Sequence, residues 1–216
     1  MPDITINVRG SNEVKLAPER GTVHATLARE GSGAVPIFEA VVESLAQVRD
    51  SLTSIHDPKH GPVTIYSFDQ IRTGARRPWH EKGKQLPLVY SATVSITAQF
   101  SDFTELGKWI TWASRVDGLT VSGIAWDLTA AHRLEVERST RQEAVRQAKA
   151  RAQDYADALD LGQVTPRSIS DLGLREPVHG TPLMSRMAFA ADTAPELDLQ
   201  PKDIEILAEV EATFVL

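Results

Sequence analysis

The sequence predicts an α+β fold: an antiparallel or mixed sheet with helices on one face, containing a ferredoxin-like βαββαβ unit that extra strands and a long helix in the carboxyl-terminal half extend. Apolar and polar residues alternate over several long stretches, the period of strands with one buried and one wet face. Elsewhere apolar residues recur at helical spacing. A third observation is the run RQEAVRQAKARAQDYADALDLG, residues 141–162, a charged, alanine-rich helix with hardly a large side chain before Tyr155 and Leu159.

The elements follow in order. Ile4, Ile6 and Val8 alternate with Thr5, Asn7 and Arg9, and after Gly10 the pattern resumes in Val14 and Leu16. Val23, Ala25 and Leu27 mark a second strand. Gly31-Ser32-Gly33 breaks it, Pro36 sits where a first helical turn accepts it, and Ile37, Val41, Leu45, Val48 and Leu52 make residues 34–55 an amphipathic helix that HDPKHGP ends. Residues 62–73 read as a strand, 74–85 as a polar connection and 86–100 as a strand with Leu88, Tyr90, Ala92, Val94, Ile96, Ala98 and Phe100 on one face, together a hairpin with a basic tip.

Ser101 is an expected N-cap for a helix carrying Phe103, Leu106, Ile110 and Ala113, which Gly118 stops. The strand at 119–129 changes phase between Val121 and Ile124, so a bulge is expected near Gly123. The long helix runs over 130–161 with Gly162 as C′, and another strand over 163–173. Residues 174–200 form an irregular arm with an apolar cluster, Met184, Met187 and Phe189. The closing strand, 203–215, turns Ile204, Ile206, Ala208, Val210, Ala212 and Phe214 one way and Glu205, Glu209, Glu211 and Thr213 the other. The βαββαβ order spans about residues 20–129 of what reads as a single domain over 1–216.

Hydrophobic residues make up 42% of the 216 positions and charged ones 24%, the balance of a chain that folds on its own. The net charge of -6 argues against general binding to nucleic acid or anionic membranes, which needs clustered Lys and Arg. With no cysteine, disulfides, thiolate nucleophiles and cysteine-held metal are excluded. No stretch approaches the roughly 20 apolar residues that span a bilayer. The opening MPDITINVRG has neither a basic nor an apolar leader region, so the chain reads as cytoplasmic.

On the long helix Val145, Ala148, Ala152, Tyr155, Ala156 and Leu159 form one stripe, with Glu143, Arg146, Lys149, Arg151, Asp154 and Asp157 mostly off it. Alanines there let the axis sit close to a sheet, so the helix reads as a cover on a sheet rather than a catalytic face or a nucleic-acid grip. Its run into ALDLGQVTPRSISD resembles the signature of the SIMPL-domain family, the bacterial group that includes a periplasmic immunogenic envelope protein. ITINVRGSNEVKLAPERGTVHATLAREG resembles the family's opening, with Gly10, Pro18 and Glu19 in place. LQPKDIEILAEVEATFVL resembles its closing strand, with Lys202 where a glycine is more usual. The resemblance implies an α+β fold, large homo-oligomers that are sometimes ring-like or channel-like, and an association with envelope integrity and stress tolerance. It transfers no catalytic residues, and the chain departs from the pattern in lacking an export signal.

The candidate sites divide by chemistry. His56 and His60 have the spacing of paired metal ligands, but Pro58 and Gly61 break any helix between them, so a polar loop is expected and no metal. Gly31-Ser32-Gly33 lacks the third glycine and the lysine of a phosphate loop. No nucleophile motif is present, and neither a catalytic residue nor a cofactor is assigned. The basic stretch RTGARRPWHEKGK carries Arg72, Arg76, Arg77, Lys82 and Lys84 with Trp79, against one acid, Glu81. The carboxyl-terminal region offers Glu205, Glu209 and Glu211 with Asp192, Glu196, Asp198 and Asp203, against Lys202.

These suggest an oligomer interface formed by Arg72, Arg76, Arg77 and Trp79, by Met184, Met187 and Phe189, and by Glu205, Glu209 and Glu211, in which basic tips or arms dock head to tail on acidic strands. The sequence therefore points to a non-catalytic, self-associating protein, a homo-oligomer that serves as a scaffold or stress-related assembly. Two further readings stay open: a small-molecule or peptide-binding module using an inter-subunit groove, with an unidentified protein or peptide partner, and an enzyme using the glutamate-bearing strand.

Overall fold

The structure, a computed structural model, describes residues 4–81, 84–175 and 199–216. These form two compact units. One holds residues 4–18, 128–175 and 202–216, and the other residues 19–81 and 84–127 with 199–201. The expected single extended sheet is thus two sheets, and the outer strands do not add to the βαββαβ region. Pro18, which has no N–H to give a ladder, lies in the break between the first two strands.

In the first unit, β1 (Thr5–Leu16), β7 (Thr165–Arg175) and β8 (Ile204–Val215) form a three-stranded antiparallel sheet in the order β1-β8-β7. The helix α3 (Ala130–Asp157) covers one face. β1 runs through Gly10 without a break and pairs with β8 in unshifted register from Thr5 opposite Val215 to Leu16 opposite Ile204. β7 is less regular, with register shifts between Pro166 and Ser168 and between Asp171 and Leu174. The buried face of β8 is the one its alternation predicts: Ile206, Ala208, Val210, Ala212 and Phe214.

The buried row of α3 is Val136, Thr140, Ala144, Ala148, Ala152 and Ala156. Tyr155 and Leu159, expected on that stripe, are 55% and 65% exposed. At 3.6 residues per turn a spacing of four advances about 40° per step, so the row winds round the helix as it follows a twisted sheet. The reading of α3 as a cover holds, with smaller residues than expected. Beneath it lies Gly10: a Cβ there would stand 2.0 Å from the Ala144 carbonyl oxygen and 2.8 Å from Ala148 Cβ. Arg151 Nη1 adds a hydrogen bond of 2.7 Å to the Arg9 carbonyl.

α3 ends at Asp157, earlier than expected, and Gly162 is not its C′ residue. The left-handed position is Asp160, at φ 55°, a conformation aspartate tolerates. Gln153 completes the stop, its Nε2 donating to Asp157 Oδ1 at 2.8 Å while its Oε1 accepts from the Val164 amide at 3.0 Å.

In the second unit, β2 (Arg20–Gly31), α1 (Ala34–Ser54), β3 (Val63–Phe68), β4 (Arg72–Arg76), β5 (Val89–Phe100), α2 (Phe103–Ala113) and β6 (Leu119–Asp127) follow in order. The sheet order is β3-β5-β2-β6, all antiparallel, with β4 also paired to β5. Val23, Ala25 and Leu27 of β2, Ala92 to Phe100 of β5, and Val41, Leu45, Val48 and Leu52 of α1 meet Leu106, Trp109 and Ala113 of α2 in one core. Trp109 Nε1 donates to Ser51 Oγ at 3.2 Å, tying the helices together. The bulge appears where expected, His24 facing Gly123 and Ala25 facing Val121, and Gly118 takes φ 79° after α2.

The N-cap of α2 is Asp102, not Ser101. Its carboxylate accepts from the Thr104 and Glu105 amides at 2.9 and 3.1 Å, while Ser101 Oγ donates to the Gly61 carbonyl. A charged acceptor at the positive end of the helix outcompetes a hydroxyl. Asp102→Ala is expected to lower stability by about 1 kcal/mol, and Asp102→Ser, which keeps a capping oxygen, by only a fraction of that, as urea denaturation will read.

Candidate functional site

The basic stretch is more ordered than a hairpin tip. Arg72 and Arg76 lie on β4, a strand that the sequence pattern divides between a strand and a polar connection. It pairs through its backbone with Val89–Thr93 and is exposed along its length, so no apolar alternation betrays it. Arg76 Nη2 pairs with Glu30 Oε2 at 2.9 Å, and Arg77 Nη1 donates to the Leu86 carbonyl at 2.6 Å. Trp79 is 82% exposed. Pro78, Leu86, Pro87 and Leu88 line an apolar hollow of about 390 Å³ close by.

The acidic strand is also engaged, through partners far away in sequence. In the β1–β8 register Arg9 faces Glu211 and Lys15 faces Glu205. Arg9 Nη2 lies 2.7 Å from Glu211 Oε1, and Lys15 Nζ lies 2.9 Å from Glu205 Oε1 and 3.1 Å from Glu13 Oε1. Hydrogen bonding to Glu205 and then to Glu13 raises the Lys15 ammonium above its ordinary pKa, and Glu211 does the same for Arg9. Thr213 Oγ1 donates to Asn7 Oδ1 at 2.8 Å. Cations from β1 thus meet acids that the sequence alone sets against Lys202. Glu209 shares this face of β8.

The basic and acidic groups belong to different compact units. Met184, Met187 and Phe189 lie outside the described residues. The HDPKHGP turn is held by Asp57, whose Oδ1 accepts from the Lys59 and His60 amides at 2.8 and 3.2 Å, and those bonds hold its carboxyl below the usual range. His56 packs edge-on against Tyr66, ring centroids 4.9 Å apart, so the two histidines serve separate local contacts. Gly33 is the N-cap of α1 and contributes no side-chain bond. Among the described residues no group of three or more His, Asp or Glu could hold a metal ion, and no helix is long and apolar enough to cross a membrane.

Sequence reasoning missed a further surface. Val35, Phe38 and Val42 of α1 are 65%, 44% and 44% exposed. Val35 and Phe38 join Thr73, Ala75 and Tyr90 around a groove of about 760 Å³. The signal was in the sequence: these three apolar residues fall off the core-facing stripe of an otherwise regular amphipathic helix.

No curated protein matches the chain. A family model, described as SIMPL, protein of unknown function (DUF541), matches residues 6–214 and so takes in both sheets, the Gly10 contact and α3. The chain belongs to the SIMPL (DUF541) family.

Proposed function

We propose that this SIMPL protein is a non-catalytic, self-associating protein, a scaffold or stress-related assembly, and that copies join through β1. The observation that supports this is the edge of that strand: twelve residues in unshifted register, paired with β8 alone among the described residues. Long regular edges are templates for another chain, and β7 at the opposite edge is blunted by Pro166 and two register shifts.

The sequence of β1 complements itself. An antiparallel partner related by a two-fold axis at Ser11 sets Ile6 against Leu16, Val8 against Val14, and Arg9 against Glu13 of the second copy. Apolar residues then meet apolar ones on the side of the sheet that α3 covers, and opposite charges meet on the other.

Light scattering behind a sizing column is expected to give a defined oligomer. It should persist at high salt, because backbone bonds and apolar pairs carry the contact. A monomer at every salt and protein concentration would end this reading. Arg9→Glu should weaken assembly about tenfold, since the two-fold axis doubles each cross-strand charge pair. Combining it with Glu13→Arg and with Glu211→Arg, which gives residue 9 back an opposite charge within its own chain, should restore assembly. Loss without recovery in this triple variant would count against β1 as the joining edge.

A further inference from the structure

We propose that the outer edge of β4, with the groove beside it, binds an extended peptide in which acidic and apolar residues alternate, adding it to the sheet as a further strand. This inference is independent of the assembly through β1. β4 pairs with β5 alone among the described residues, and all five of its residues are exposed.

Its two faces differ in chemistry. Thr73 and Ala75 lie opposite Ala92 and Tyr90 in the ladder, and Ala92 is buried in the core, so this is the helix side of the sheet. There the groove is lined by Val35 and Phe38 of α1 with Glu39 beside them, a lining that suits aliphatic side chains and would repel acidic ones. Arg72, Gly74 and Arg76 occupy the other face, opposite Thr93, Ser91 and Val89. Two arginines flank a glycine that leaves the middle open.

Charge decides the occupant. If β4 paired with a second copy about Gly74, Arg72 would face Arg76 of that copy at both ends, and like charges directly opposite one another oppose pairing. A foreign strand with acids opposite Arg72 and Arg76 and apolar residues opposite Thr73 and Ala75 meets both faces. The pattern is acid, apolar, any, apolar, acid. Main-chain hydrogen bonds would supply affinity and the alternate side chains specificity. The Arg76–Glu30 pair is solvent-exposed and so exchanges readily for an acid on the peptide.

The test is fluorescence anisotropy of the full chain with a dye-labelled, end-blocked peptide, Ser-Asp-Leu-Ser-Val-Asp-Ser. Saturable binding is expected, at least tenfold weaker for the variant carrying Arg72→Glu and Arg76→Glu. The same loss is expected for a peptide N-methylated at alternate amides and for a scrambled peptide of the same composition. Glu30→Gln, which frees Arg76, should tighten binding two- to threefold. These substitutions are on the surface, and unchanged circular dichroism will confirm that the variants fold.

Absence of saturable binding would overturn the proposal. Equal binding of the N-methylated or scrambled peptide would overturn strand addition, leaving only charge attraction. A change in solution mass of the double-arginine variant would mean that β4 meets a second copy instead, and would overturn the choice of occupant.

Discussion

Gly10→Ala is expected to destabilise the unit built from β1, β7, β8 and α3 by about 3 kcal/mol, the upper end of the usual cost of overpacking. A new Cβ would lie 2.0 Å from the Ala144 carbonyl oxygen, 2.7 Å from the Ala148 amide nitrogen and 2.8 Å from Ala148 Cβ. Two of these three atoms are backbone, so no side chain can rotate away. The helix must lift from the strand, and lifting it loosens contacts along the row from Ala144 to Ala156. Gly162→Ala is the matched control: nothing lies within 4 Å of its added Cβ, and a change within about 0.5 kcal/mol is expected. Urea denaturation followed by circular dichroism separates the two. Equal midpoints for both variants would show that α3 does not sit down on β1 as described.

The second large effect belongs to the other unit. Phe100→Ala should cost about 3 to 5 kcal/mol, the range for emptying a fully buried aromatic site. Phe100 is 0% exposed at the end of β5, paired with Gly21 on β2 and Val63 on β3, with its ring 5.9 Å from that of Trp109. It therefore closes the core at the point where three strands and α2 converge. All four tryptophans of the chain, Trp79, Trp109, Trp112 and Trp126, belong to this unit, so intrinsic fluorescence reports its unfolding selectively. A midpoint in urea close to the parent's would mean that the cavity collapses or that Phe100 is less central than its burial implies.

Much of the fold was legible because alternation and helical spacing are local. Val23, Ala25 and Leu27, the row from Ala92 to Phe100, and Val41 to Leu52 are buried as their periods predict. What failed depends on geometry that a linear pattern does not hold. The separation into two sheets turns on which strands pair across the length of the chain, as when Thr5 meets Val215. The phase of α3 eludes a reading in which large residues mark the core. Contact with a glycine-bearing strand instead buries Ala144, Ala148, Ala152 and Ala156 and leaves Tyr155 and Leu159 to solvent.

The candidate site was legible as a list of charges and illegible as a set of pairs. Arg76 with Glu30, Arg9 with Glu211 and Lys15 with Glu205 each join positions brought together only by strand register. β4 escaped because an exposed edge strand needs no apolar residues to form. It is held by its ladder to β5, and its composition reads as a turn.

The most direct measurement of the proposed assembly uses the absence of native cysteine. Ser11→Cys introduces the chain's single thiol at the expected two-fold axis, where directly opposed residues have Cα atoms about 4.5 to 5.5 Å apart, within reach of a disulfide. Mild oxidation followed by a non-reducing gel should give a cross-linked dimer, reversed by reductant. Ser114→Cys, an exposed position on the other unit, should give no cross-linked band under the same conditions. Equal cross-linking of both variants, or none at Ser11→Cys while light scattering still shows an oligomer, would contradict joining through β1.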